Sequence, residues 1–122
     1  MQTLGALPKQ EWDSDLKIIT APYELKNGTE VFKYLRDHRF LDSVLRKAPH
    51  KIGEHFPHAA IGLQVITDPE IEGDEAAHLG IFIYTDLDPD EAVDRLDALD
   101  DDWWLDASRS VDGKLGVHLD FV

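Results

Sequence analysis

The chain contains no cysteine. Disulfide staples, a thiolate zinc centre and a cysteine nucleophile are therefore excluded. No apolar run approaches the length of a membrane span, and Met1 to Lys9 hold neither a basic nor an apolar leader segment. By elimination the sequence predicts a cytoplasmic location with no membrane partner. A Gly-x-Ser-x-Gly elbow and a glycine-rich phosphate loop are also missing, and no cofactor is expected. Positive charge is scarce in one half only. Residues 1–59 hold nine Lys/Arg and eight Asp/Glu, whereas residues 60–122 hold three and seventeen. The halves therefore stand at +1 and −14, within a net charge of −13. A field of that sign repels phosphates and anionic lipid and attracts basic surfaces.

At 122 residues the chain suits a single domain that buries roughly two-thirds of its unfolded surface. Residues 1–14 have little periodicity and read as a loosely ordered arm anchored by Trp12. Leu16–Thr20 reads as a short strand that Pro22 confines to an edge. Asn27 and Glu30 mark a helix entry, with Asn27 as its cap. Val31, Tyr34, Leu35, His38, Leu41, Val44, Leu45 and Ala48 then keep helical spacing up to Pro49, as one helix or as two joined near His38.

The second half reads mostly as sheet. Ala60–Thr67 is a strand stopped by Asp68-Pro69, and Leu79–Thr85 has the β-branched and aromatic composition of a buried strand. Asp88-Pro89-Asp90-Glu91 is a strong helix start: a carboxylate to cap a free N–H, a proline with no N–H to lose, and an acid that can reach back. Ala92, Val93, Leu96, Leu99 and Trp103 fall on one face of that helix, Asp90, Asp94, Asp97 and Asp101 on the other. Asp112-Gly113 predicts a hairpin between Ala107–Val111 and Lys114–Phe121. The expected fold is α+β. A helical N-terminal half packs on an antiparallel sheet of four to five strands, with β-β-α-β-β order in the C-terminal half.

Three constellations carry chemistry. Asp86-x-Asp88-x-Asp90 starts like a calcium loop, but Glu91 stands where the turn glycine belongs and Asp97 where a bidentate Glu belongs, so a helix cap explains it better. His50, His55 and His58 form a candidate transition-metal cluster, with Glu54 and Asp42 as further donors if the fold joins them. His118 and Asp120 share a strand face and could meet Ser108 or Ser110 across the expected hairpin.

The last feature is Asp100-Asp101-Asp102-Trp103-Trp104. Neighbouring residues of an α-helix point about 100° apart, so one indole is expected inside and the other near the surface among carboxylates. An accessible Trp framed by acids suits a basic protein partner. The sequence therefore predicts a non-enzymatic interaction or regulatory module whose contact residues are Asp94, Asp97, Asp101, Asp102 and Trp104. The alternative is a small-ligand binder or metal-dependent enzyme using His50/His55/His58 or His118/Asp120. Residues 27–51 carry six Lys/Arg against three acids, too weak an excess to overcome the whole-chain field, which argues against nucleic acid. That segment is expected instead to dock on the acidic half, within one subunit or across a homodimer.

Overall fold

The computed structural model describes residues 15–71 and 76–122. Its centre is β3 (Ala77–Thr85), whose Leu79, Ile81 and Ile83 are all completely buried. It pairs antiparallel with β2 (Ala60–Thr67) and parallel with β4 (Leu115–Phe121), and β2 pairs parallel with β1 (Tyr23–Leu25). The sheet order is β1-β2-β3-β4. The helical elements are α1 (residues 15–20), α2 (Gly28–Asp37), α3 (Asp42–His55), α4 (Pro89–Leu99) and α5 (Leu105–Ala107). A 3₁₀ turn, Arg39–Leu41, joins α2 to α3, resolving the periodic run into two helices.

Four strands and an α+β architecture agree with the sequence. The antiparallel expectation does not: two of the three pairings are parallel. The cause lies in residues 105–110, expected in part as a strand but found helical. The chain therefore leaves β3, passes through one continuous helical connection and returns as β4, and such a crossover yields a parallel pair. The C-terminal half is β-β-α-β. Asp112 and Gly113 adopt left-handed backbone, with φ of 49° and 70°, but they join a helix end to a strand and the expected hairpin does not form. Leu16–Thr20 is likewise helical rather than extended. Leu16, Ile19 and Thr20 are buried while Lys17 and Ile18 are exposed, a three-and-four spacing that five residues could not distinguish from a strand. The expectation for residues 1–14 lies outside the described residues.

One apolar cluster joins the helices to one face of the sheet. Val31, Leu35, Leu45, Ile52, Ala92 and Leu99 from the helices meet Ile61, Leu63, Leu79, Ile81 and Ile83 from the strands. Because both crossovers advance in the same direction along antiparallel strands and lie on one face, they are of opposite hand, so one runs against the usual right-handed preference. The other face displays Gln64, Ile66, His78, Phe82, Tyr84 and His118, which are half-buried, with Glu24 and Asp120 exposed. Among the described residues no element covers it.

Pro49 stands inside α3 rather than ending it. It cannot supply the N–H that would bond the Leu45 carbonyl one turn back. The Tyr23 hydroxyl donates to that carbonyl instead, at 2.8 Å and out of water. Burial pushes the Tyr23 hydroxyl well above its ordinary pKa, so it stays a donor at every physiological pH.

Candidate functional site: the acidic helix and its wide turn

Helix α4 starts as its sequence predicts. Asp88 caps it, accepting from the Asp90 N–H at 3.2 Å, and Pro89 takes the first position. Glu91 does not reach back to the cap but pairs with Arg95 at 2.9 Å. Asn27, the other expected cap, adopts left-handed backbone and makes no side-chain capping bond.

At its far end α4 widens into a π-turn, Asp100–Trp104, and runs on through α5 and a 3₁₀ turn, Ser108–Ser110. The Leu105 N–H reaches the Asp100 carbonyl, five residues back. A five-residue loop turns the chain less per residue than an α-helix does. Trp103 and Trp104 consequently diverge less than neighbours on an α-helix. Both rings are half-buried against the core, 5.7 Å apart and tilted by 53°. The expected division into one inner and one outer indole gives way to a shared, half-covered pair. Trp103 also lines a groove of about 530 Å³ with Val44, Lys47, Lys51, Asp106 and Ser110.

The outer face of this helix is acidic and largely unpaired. Asp94, Asp97 and Asp101 are exposed, and among the described residues they enter no salt bridge. Asp100 lies half-buried beside them. Its carboxyl is pushed up, first by burial and then by the charges of Asp97 and Asp101. Two apolar side chains flank the acids: Val93 is 48 % exposed and Leu105 55 %. Val93 thus leaves the inner face that spacing assigned to it.

Asp102 differs from its neighbours. It accepts from His55 Nε2 at 3.1 Å and faces Lys51 Nζ at 3.6 Å. The His55 hydrogen bond, helped by Lys51, holds its carboxyl below the usual range. Lys51 of the basic segment thereby meets Asp102 of the acidic half within one subunit. Glu54, His55 and Asp102 bring ligand atoms within 4.8 Å of one another. The Lys51 ammonium, also 3.4 Å from Glu54, already supplies the cation there.

The histidine triplet does not converge. His50 is solvent-exposed and pairs with Glu54 on its own helix at 3.4 Å, while His55 turns to Asp102. His58, at a left-handed φ of 67°, lines a cleft of about 540 Å³ with Phe56, Tyr84, Asp86 and Arg95. His118 does not engage Ser108 or Ser110, whose hydroxyls donate to the Leu105 and Ala107 carbonyls. Its ring nitrogen faces His78, a residue the sequence did not single out. The only signal lay in mirrored spacings, His78-x-Gly80 and Gly116-x-His118, which meet only once Gly80 is known to oppose Gly116.

The fold and charge define the class as an acidic α+β protein, and no described helix is long and apolar enough to cross a membrane. Against protein-family models, curated proteins and solved structures alike, the chain finds no match.

Proposed function

We propose that this protein is a non-enzymatic interaction module that binds a basic protein partner along the outer face of α4 and its π-turn. The observation that carries this reading is the row of exposed, unpaired carboxylates at Asp94, Asp97 and Asp101. On the neighbouring helix Glu54 has Lys51 and Asp42 has Arg39, and on α4 itself Glu91 has Arg95, whereas these three carboxylates stand side by side without a cation among the described residues. Leaving like charges together raises the free energy of the isolated protein, and the neighbouring Asp100 carboxyl, raised first by burial, is raised further by Asp97 and Asp101. A basic surface would relieve that repulsion, and complementary fields would also speed the encounter.

Val93 and Leu105 add apolar contact at either end of the acidic row, about 18 Å apart on a regular helix. The half-exposed indoles of Trp103 and Trp104 extend it. Wide π-turns occur often at functional positions, which fits the placement of this one. Asp102 acts differently within the proposal: already held by Lys51 and His55, it positions the turn more than it contacts a partner.

The test uses the full-length protein as bait for cellular polypeptides at low salt and at 1 M salt, where the Debye length is about 3 Å. The expected result is a basic polypeptide retained at low salt, released at high salt, and lost by the folded triple variant Asp94→Lys/Asp97→Lys/Asp101→Lys. Equal retention by wild type and triple variant, or no specific retention by wild type, overturns the reading.

A further inference from the structure

We propose that His78 and His118 form a two-histidine clamp for a late first-row transition-metal cation, such as zinc(II) or copper(II), on the sheet face that no described element covers. This site lies across the sheet from α4 and does not depend on the partner-binding reading.

Three features support it. The first is the bite. The two Nε2 atoms stand 3.4 Å apart. Two zinc–imidazole bonds of about 2.0–2.1 Å meeting at a tetrahedral angle span about 3.3–3.4 Å between nitrogens. The ring centroids are 5.7 Å apart, so the rings approach with these nitrogens leading, and a small swing of each brings both lone pairs onto one ion.

The second feature is the floor beneath the rings. Gly80 and Gly116 are partners in the β3–β4 register, between the two histidines. A Cβ on Gly80 would come within 3.1 Å of His118 Cδ2 and 2.9 Å of Phe82 Cε2, and one on Gly116 within 3.3 Å of His118 Nε2. Only bare backbone there lets the rings lie low and reach each other. The third feature is restraint. Phe82 stacks on His118 at 5.2 Å and 25°, holding the ring half-buried before any ion arrives. A ligand already ordered loses little freedom on binding.

The donor set selects the ion. Two imidazoles suit zinc, copper and nickel, whereas calcium and magnesium demand oxygen. Among the described residues no third His, Cys, Asp or Glu joins the pair. The bound ion would therefore keep its remaining positions for water or for a donor from another molecule, as open sites do. A hydrogen-bonded histidine pair sharing one proton has the same resting geometry, and binding experiments separate the two.

Tag-free protein is titrated calorimetrically with zinc, nickel and copper salts, and with calcium and magnesium as controls. The expected result is one equivalent of transition metal per chain and none of the controls. Binding should be lost in His78→Gln and in His118→Gln but retained in His55→Gln, which removes the competing Glu54/His55/Asp102 group. Nickel added to wild type should broaden the His78 and His118 ring resonances first, a readout independent of any variant's folding. No binding by wild type, binding that survives both single substitutions, loss in His55→Gln, or first broadening at other histidines overturns the proposal.

Discussion

Helices α3 and α4 lie against each other and differ in two respects. In α3, His50 and Lys51 meet Glu54, Lys51 also meets Asp102, and Asp42 meets Arg39. In α4 the only salt bridge along the outer face joins Glu91 to Arg95, and Asp94, Asp97 and Asp101 enter none among the described residues. The backbones depart from regular α-geometry in opposite ways as well. Pro49 removes a hydrogen bond from α3, and a side chain from β1 restores it. The π-turn of α4 repairs itself by moving its bond one residue further along the chain. Helix α3 is thus completed by its surroundings, whereas α4 is complete in its backbone and left open at its surface.

Breaking the tertiary repair of α3 should have the largest effect on this contrast. Tyr23→Phe leaves the Leu45 carbonyl buried without its donor and should lower unfolding free energy by about 1–3 kcal/mol in denaturant titrations. Pro49→Ala supplies an N–H at the missing position, so the same Tyr23→Phe change should cost clearly less in that background. Equal costs in both backgrounds would mean that the hydroxyl does not replace the lost helical bond.

Acid should next weaken the link between the helices. The Asp102 carboxyl is held down in the folded protein, so its contribution is present above the ordinary carboxylate pKa and fades as pH falls through the lowered value. Replacing His55 with Gln and Lys51 with Met should return the Asp102 titration, followed by carboxyl NMR, toward its ordinary position. A titration unmoved by both changes would remove these partners as the cause.

Asp100→Asn should give the smallest effect, and in the opposite direction. A carboxyl pushed up by burial, Asp97 and Asp101 destabilises the folded state when ionised. The variant should therefore be slightly more stable than wild type near neutral pH. That advantage should shrink as acid protonates Asp100 in the wild type. A variant less stable than wild type at neutral pH would assign Asp100 a structural role that like-charge repulsion does not describe.

Much of the fold was legible where local chemistry suffices. Asp88-Pro89 marked the start of α4 and Ala60–Thr67 the whole of β2. Alternation in β4 puts Leu115, Val117, Leu119 and Phe121 on one side; the first three meet the core and Phe121 is exposed, and alternation carries no strand direction. The misplaced strand before Asp112 reversed the inferred pairing, because residues 105–110 are too few to display a helical period of their own. Among candidate site residues, the exposure of Asp94, Asp97 and Asp101 followed from helical spacing. The capture of Asp102 by Lys51 and His55 did not, since those partners lie 51 and 47 positions away.

By itself the sequence determined charge, the alternation of inward and outward side chains in the long strands, and the Asp88 cap of α4, because each depends on residues within a few positions of one another. Tertiary structure alone decided which strands run parallel, which hydroxyl completes a proline-broken helix, and which two histidines face each other. Those outcomes depend on register between distant segments, and register is set by how whole elements pack.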